Sequence, residues 1–286
     1  MNKQQKAGVF MKLRAVICLA LSTLLLIAGC SQSSNGPNTA ENHDSVQTDR
    51  SNAESRNDKS AADQNDVKDH SSTASTPKLG SLNQTLQAIQ KQLNDQKQLF
   101  LPDYVPIEDG KYRSAVVTEQ ASDYSVTFKQ TNTPAAVNDP SLAHAKTIAA
   151  IRARTFQNKN DAAKQINHNT FSASDGKAVE LGHGITGYAD AGAGTAGISW
   201  NEGRWTLASL SPTSDAADGT DLAREIVAYL EQHRLPIPHQ YGTVQVYTDK
   251  RQSIVRWQAG AAMLELTGTI PPLTLIKIAC SIQKFD

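Results

Sequence analysis

Glycine spacing produces two candidate phosphate-binding loops in this chain. Residues 182–187 and 192–197 both read Gly-x-Gly-x-x-Gly, the spacing of the loop that holds the pyrophosphate of a dinucleotide. That loop functions only between a strand and a helix, because the helix N-terminus provides the N–H groups that bind the anion. Here the pattern that follows is that of a strand ending in Trp200. We therefore interpret both stretches as turns and bulges, and we predict no cofactor.

Serine followed three residues later by lysine gives three candidate nucleophiles. The pattern Ser-x-x-Lys spans residues 75–78, 174–177 and 281–284. A penicillin-recognising serine enzyme needs this serine at the start of a helix, together with further motifs elsewhere. The three copies fall in a polar stretch, in a loop and near the last residues of the sequence. They therefore indicate no catalytic residue.

The histidines of the C-terminal two thirds do not form a metal-binding pattern. His144, His168, His183, His233 and His239 do not share ligand spacing, although the last two flank a pair of prolines. Neither the nucleophile pattern Gly-x-Ser-x-Gly nor the zinc pattern His-Glu-x-x-His occurs. The sequence thus predicts no metal ligand and argues against an enzyme, although a fold can gather Asp, Glu and His residues that are distant in sequence.

Cys30 has the most specific chemistry in the chain. Residues 1–14 carry four basic and no acidic side chains, and residues 15–28 are almost wholly apolar, which is the pattern of a secretory signal. The apolar run is shorter than the about 20 residues that a membrane-spanning helix needs. Ile27, Ala28 and Gly29 before Cys30 resemble the lipobox of bacterial lipoproteins, in which diacylglycerol is joined to the cysteine sulfur and the chain is cut before it.

The lipobox resemblance implies a signal peptide over residues 1–29 and lipidation at Cys30. Acyl chains such as palmitate would then hold the protein in the cell membrane, since two chains anchor stably where one is marginal. The alternative is an uncleaved membrane anchor. In either case we expect the body on the extracytoplasmic side. Cys18 would leave with the signal, and Cys280, left without a disulfide partner, is interpreted as a buried structural thiol.

Residues 30–78 are predicted to be the lipidated cysteine followed by a disordered linker. The only large aliphatic side chains in 31–78 are Val46 and Val67, and the stretch has no aromatic residue. Such a composition cannot bury enough apolar surface to offset chain entropy. His43 and His70 are isolated within it and are interpreted as solvated.

The charge of the chain argues against nucleic acid as a partner. Four of the 28 basic residues precede Cys30, which leaves 24 basic against 28 acidic residues and a net charge of about −4. No strongly basic patch occurs in the sequence, whereas nucleic-acid-binding proteins usually have one. The expected partners are the membrane, through the lipid, and an envelope ligand or protein.

Residues 79–286 form the body, which must position any functional side chains. We predict that it is an α+β domain of antiparallel sheet and packed helices. Ser81 can cap a helix with apolar positions at 82, 86, 89 and 93. Two strands are predicted over 112–119 and 123–130, and in the second one Tyr124, Val126 and Phe128 alternate with polar residues. A helix or strand is expected around Ile148, a short helix over 161–166, and one or two short strands near Val179 and Ile185.

The last third of the chain repeats itself. Trp200 and Trp257 each begin the pattern Trp-x-x-Gly-x-x-x-Leu, and a helical pattern follows each copy, over 221–230 and 273–282. We predict two duplicated hairpin–helix units, both after residue 197. The body as a whole, 79–286, could also divide into two halves, 79–190 and 191–286. Turns at 202–203 and 259–260 would pair Trp200 with Trp205 and Trp257 with Ala262, so that the large apolar side chains share one face. The tryptophans are interpreted as core residues, with an aromatic ligand platform as the alternative.

The second copy also resembles a known domain over about 30 residues. The matching positions are Trp257-x-x-Gly260, Leu264-x-Leu266-x-Gly268 and the run from Leu273 to Ala279-x-x-Ile282. They look like the C-terminal segment of an uncharacterised domain of Firmicute lipoproteins and some anti-sigma-factor extracytoplasmic regions. Members usually carry a tyrosine where this chain has Ala262-Met263. The resemblance implies an extracytoplasmic, non-catalytic module and carries over no site residue.

Three hypotheses for function follow. The leading one is a lipoprotein of a Gram-positive bacterium whose body binds or senses an envelope component without catalysis. The second is a cell-wall or peptide hydrolase with an unrecognised site. The third is a subunit that only supports a membrane complex.

Overall fold

The structure, a computed structural model, describes residues 80–93, 98–121 and 123–285. The signal peptide predicted over 1–29, Cys30 and the linker predicted up to residue 78 lie outside the described residues. So do Cys18 and the Ser-x-x-Lys copy at 75–78. The described part of the chain has the predicted α+β fold, with a mostly antiparallel sheet and few helices.

Four α-helices and twelve strands lie in the described residues. The helices are α1 (Leu82–Gln92), α2 (Lys159–Ala163), α3 (Ala216–Leu230) and α4 (Pro272–Cys280). The strands are β1 (Leu99–Pro102), β2 (Tyr112–Gln120), β3 (Asp123–Thr131), β4 (Lys146–Thr155), β5 (Lys177–Gly182), β6 (Ile185–Gly192), β7 (Thr195–Glu202), β8 (Trp205–Pro212), β9 (Gly242–Tyr247), β10 (Ser253–Ala259), β11 (Ala262–Gly268) and β12 (Ile282–Phe285).

Ten of these strands form one sheet in the order β2-β3-β4-β11-β10-β9-β8-β7-β6-β5. Every neighbouring pair is antiparallel except β8 and β9, which are parallel and are connected through α3. The third and fourth strands of this order, β4 and β11, pair with each other, so both predicted halves of the body contribute strands to the sheet. The remaining described strands, β1 and β12, pair with each other as a two-stranded sheet.

One face of the ten-stranded sheet carries the core. In β3, Tyr124, Val126 and Phe128 are buried, and the residues between them are partly exposed, as their alternation predicts. The buried residues of α1, α3 and α4 belong to the same apolar cluster as these strand residues. For α1 the cap is also confirmed, because the Ser81 hydroxyl accepts a hydrogen bond from the Gln84 backbone N–H at 3.4 Å.

Part of the opposite face is covered by the segment that follows α2. The Thr206 hydroxyl donates to the Asn169 carbonyl at 2.8 Å and accepts from the Asn169 N–H at 3.1 Å. The Asn201 side chain accepts from the Phe171 N–H at 2.8 Å. These bonds place residues 169–171 across β7 and β8, on the side away from α3.

The predicted face of both tryptophan hairpins is confirmed, but their predicted pairing is wrong. Trp200 pairs with Leu207, and Trp257 pairs with Leu264, because the turns are 203–204 and 260–261, one residue later than predicted. Gly203 and Gly260 have φ of +57° and +65° at the first turn position, where a type II′ turn requires glycine. The pairing moves by two residues, so each side chain keeps its face.

Several element boundaries differ from the prediction. α3 begins at Ala216 rather than 221, and α4 ends at Cys280, so that Ile282 lies in β12 instead of the predicted helix. The uncertain stretch around Ile148 is the strand β4, and α2 starts two residues before the predicted short helix. In the described residues, no helix is long and apolar enough to cross a membrane.

Candidate functional site

The structure places the three tryptophans in the interior, which confirms their interpretation as core residues. Trp200 and Trp257 are fully buried, and Trp205 is 7% exposed. The rings of Trp205 and Trp257 pack at 6.5 Å between centroids, tilted by 44°. Trp205 also forms part of the wall of a cleft, which is described below.

The glycine patterns are turns, as interpreted. Residues 183–184 form the two-residue turn between β5 and β6, and Ala193-Gly194, both with positive φ, form the one between β6 and β7. A strand rather than a helix follows each turn. Neither stretch therefore provides the helix N-terminus on which a dinucleotide site depends.

The described Ser-x-x-Lys copies lie outside helix starts. Ser174 is in the loop before β5, and its hydroxyl lies 2.8 Å from that of Ser172. Ser281 follows α4, where its hydroxyl donates to the Ile278 carbonyl at 2.8 Å and accepts from the Tyr104 N–H at 3.1 Å. The Ser174 hydroxyl thus contacts neighbouring side chains of its loop, and the Ser281 hydroxyl bridges two backbone segments.

The structure also does not bring the histidines together as ligands. His168 stacks on Tyr241 at 3.9 Å, and His183 lies 3.8 Å from the Glu231 carboxylate. In the part of the chain that the structure describes, no group of three or more His, Cys, Asp or Glu side chains is placed to hold a metal ion. Cys280 is partly buried, and this burial raises the pKa of its thiol to about 12.

A cleft of about 310 Å³ lies where α3 ends, and we name it the α3-end cleft. Its walls come from the turn between β7 and β8, from the last turn of α3 and from the proline segment after it. The lining residues are Glu202, Gly203, Arg204, Trp205, Leu230, His233, Arg234, Leu235, Pro236, Ile237 and Pro238.

The most unusual group in the α3-end cleft is the Glu202 carboxylate. It shares the inward face of β7 with Trp200, whose Nε1–H donates to Glu202 Oε1 at 2.8 Å. Burial raises the pKa of Glu202, the Trp200 hydrogen bond lowers it, and the negative charge of Glu231 raises it further; the net pKa is raised. A half-buried carboxylate is thus held in fixed orientation at an apolar wall.

Arg204 fixes the proline segment that forms the opposite wall. Its guanidinium Nη1 donates to the Pro238 carbonyl at 2.7 Å and to the His239 carbonyl at 2.9 Å. The segment presents Ile237, which is 80% exposed. Single exposed aliphatic side chains are common on protein surfaces. Ile237 differs from these because it lies at the rim of a cleft.

A second cleft of about 430 Å³ adjoins the first at His233. It is lined by Asp103, Tyr104, Tyr229, His233, Lys277, Cys280 and Ser281. The His233 ring stacks on Tyr229 at 3.9 Å, and Tyr104 is 42% exposed. Aromatic surface therefore continues from one cleft into the other.

This arrangement suits binding of a group with an apolar body and a hydrogen-bond donor. Clefts that take small ligands are mostly apolar and hold a few fixed polar groups that orient the ligand. In the α3-end cleft, Trp205 and Ile237 provide apolar surface, and Glu202 provides a charged acceptor. The sequence prediction placed Glu202 in a turn and did not identify it as a site residue. The sequence feature that could have indicated it is its position two residues after Trp200, which puts a charged side chain on the inward face of a predicted strand.

Comparison with known proteins adds no relative: no protein-family model, no curated protein and no solved structure matches this chain.

Proposed function

We propose that this protein is held on the extracytoplasmic side of the bacterial cell membrane by lipid on Cys30, and that its body binds an envelope ligand without catalysis. The basic start, the apolar run and the small residues before Cys30 support the anchor. The α3-end cleft supports binding, and the observation that carries it is the half-buried Glu202 carboxylate beside the Trp205 wall.

Metabolic labelling with a clickable fatty acid tests the anchor. Cys30→Ala should abolish the label and release the protein from membranes, because the acylated sulfur is lost. Cys280→Ala is the matched control and should keep both label and membrane association. Unchanged labelling of Cys30→Ala would remove the basis for lipid anchoring.

Binding of two matched fragments tests the α3-end cleft. Benzylammonium and phenylacetate have similar apolar bodies and opposite charges, and Trp205 fluorescence reports on the cleft. Glu202→Gln should weaken benzylammonium binding by about tenfold or more, since a hydrogen bond to a charged group is worth about 1.5–3 kcal/mol. The same variant should not weaken phenylacetate, because Arg204 and Arg234, the cations that line the cleft, are unchanged. Glu225→Gln, an exposed change on α3, should have no effect. Unchanged benzylammonium binding in Glu202→Gln, or an equal loss for both fragments, would contradict the assignment.

The hydrolase hypothesis has one observation in its favour. A carboxyl group with a raised pKa in a cleft is what a general acid requires, and Glu202 has both properties. Turnover of cell-wall fragments that disappears in Glu202→Gln would favour this alternative. Ligand binding without turnover favours the binding module.

We also propose that the two tryptophan hairpins are copies of one ancestral unit. Each pairs its first tryptophan with the leucine seven residues later, and each has glycine at the first turn position. If the hairpins are equivalent, residues 255–264 grafted in place of 198–207 should give a folded chain with cooperative thermal unfolding. A reversed-sequence graft of the same composition should not.

A further inference from the structure

The two clefts at the end of α3 form one continuous surface. The α3-end cleft and the second cleft, of about 430 Å³, share His233 as a lining residue. The His233 ring stacks on Tyr229, which lines the second cleft. If the α3-end cleft binds the ligand, as proposed above, a ligand larger than a single fragment can therefore occupy both clefts at once.

Exposed hydrophobic side chains mark the same surface. In the described part of the chain, the large hydrophobic side chains that remain exposed are Tyr104 and Ile237, at 42% and 80%. Tyr104 lines the second cleft, and Ile237 lines the α3-end cleft. Exposed apolar groups that gather around clefts, rather than lying scattered, are typical of sites that bind a ligand or a partner. Both clefts therefore suit apolar side chains of one ligand.

The walls of the second cleft are held in place before any ligand arrives. The Tyr104 N–H donates to Ser281 Oγ at 3.1 Å, and the Asp103 N–H donates to the Ser281 carbonyl at 3.1 Å. The Lys277 ammonium group lies 5.6 Å from the centroid of the Tyr229 ring, which is within the range of a cation–π contact. A wall that is already ordered loses less entropy when a ligand binds.

Charge in the α3-end cleft selects a hydrogen-bond donor. The Glu202 carboxylate is partly buried and is oriented by the hydrogen bond from Trp200 at 2.8 Å. Arg204 and Arg234 also line this cleft, but both are exposed, so water and salt screen them more strongly. The least exposed charged side chain of this cleft is therefore an acceptor, for which an ammonium group is a matching donor.

An extended peptide with a free N-terminus combines these features. Its ammonium group lies beside its first side chain, and the side chains of its first and third residues point the same way, roughly 6.4–6.8 Å apart. We propose that the ligand is the N-terminal end of such a peptide, with apolar first and third residues. Its ammonium group binds Glu202, and its first side chain packs between Trp205 and Ile237. Its third side chain packs against Tyr104 and Tyr229.

Calorimetric titration of the full-length protein in detergent with three synthetic peptides tests this proposal. The peptides are Phe-Gly-Phe amide, its N-acetylated form and Phe-Gly-Gly amide. Acetylation removes the ammonium group and should weaken binding by about tenfold or more. Glycine at the third position removes one apolar side chain and should weaken binding by about fivefold or more.

Two variants assign each difference to its cleft. Glu202→Gln should remove most of the difference between the free and the acetylated peptide. Tyr104→Ala should remove most of the difference between phenylalanine and glycine at the third position. Tyr188→Ala is the matched control and should keep both differences, because Tyr188 pairs with Ser199 on the opposite face of the sheet.

The outcomes separate this proposal from the function on which it rests. Equal binding of the free and acetylated peptides, or of the peptides with phenylalanine and glycine at the third position, would overturn it. Normal benzylammonium binding in the same protein would then leave the α3-end cleft as a binding site. An unchanged preference for phenylalanine in Tyr104→Ala would overturn the assignment of the third residue to the second cleft.

Discussion

Gly242 lies between two indole rings, and replacing it with alanine should destabilise the body measurably. In β9 it pairs with Trp205 of β8 on one side and with Trp257 of β10 on the other. A Cβ atom at this position would lie 2.5 Å from Trp205 Cε3 and 2.6 Å from Cζ3. The ring is rigid and almost completely buried, so it must shift as a whole.

The expected cost follows from overpacking in a tight core. Extra methyl groups in well-packed interiors typically cost about 1–3 kcal/mol. For a domain of this size each kcal/mol lowers Tm by roughly 2–4 °C, so Gly242→Ala should unfold about 2–12 °C earlier. Because Trp205 lines the α3-end cleft, its displacement should also change tryptophan emission and weaken benzylammonium binding.

A matched glycine and a second substitution sharpen this test. Gly192 ends β6 with open space around its missing Cβ and without positive φ, so Gly192→Ala should change stability by less than about 1 kcal/mol. Trp205→Leu removes the ring atoms that the new methyl group meets. In that background the cost of Gly242→Ala should fall by about 0.5–3 kcal/mol, as for residues in direct contact. Equal denaturation midpoints for Gly242→Ala and Gly192→Ala, with unchanged emission, would refute the reasoning.

Three further predictions concern titratable groups. Cys280, with its thiol pKa raised to about 12 by burial, should react with a thiol reagent at pH 8 far more slowly in the folded chain than in urea; equal rates would contradict this. Burial raises the pKa of Glu202, so its ionisation reduces stability as pH rises through and above the ordinary glutamate range. The unfolding free energy of Glu202→Gln, measured in urea relative to that of the native protein, should therefore be higher at pH 7 than at pH 4. A lower relative value at pH 7 would contradict a raised pKa. Arg256 Nε donates to Glu265 Oε2 at 2.8 Å across β10 and β11. Arg256→Met should lower the unfolding free energy by about 1 kcal/mol or less, because partly exposed ion pairs contribute little to stability. A loss above about 3 kcal/mol in urea unfolding would contradict that assessment.

Local patterns were sufficient to predict elements whose residues are neighbours in sequence. The bounds of β2 and β3 were predicted to within one residue, and β3 has the expected alternation. The helix α1 follows from its cap and its apolar stripe. The hairpin faces were also predictable, because an error of two residues in pairing preserves the face. The exact pairing was not, since it depends on which residue of the turn adopts positive φ.

Elements defined by distant partners escaped prediction. β1 and β12 are four-residue strands from opposite ends of the described chain, and each forms by pairing with the other. The parallel pairing of β9 with β8 depends on α3 bringing the chain back across the sheet. The α3-end cleft brings Glu202 next to a segment that begins after residue 230. No local sequence pattern predicts this tertiary contact.

The position of β4 determines when this sheet can be completed. One edge of β4 pairs with β3 early in the chain, while the other waits for β11, which is made much later. A chain that emerges N-terminus first therefore exposes an unpaired edge of β4 during synthesis, and such edges promote aggregation. Arg152 and Arg154 lie exposed along that strand and form ion pairs with Asp123 of β3. Charged side chains at a strand edge disfavour pairing with a wrong strand until β11 arrives.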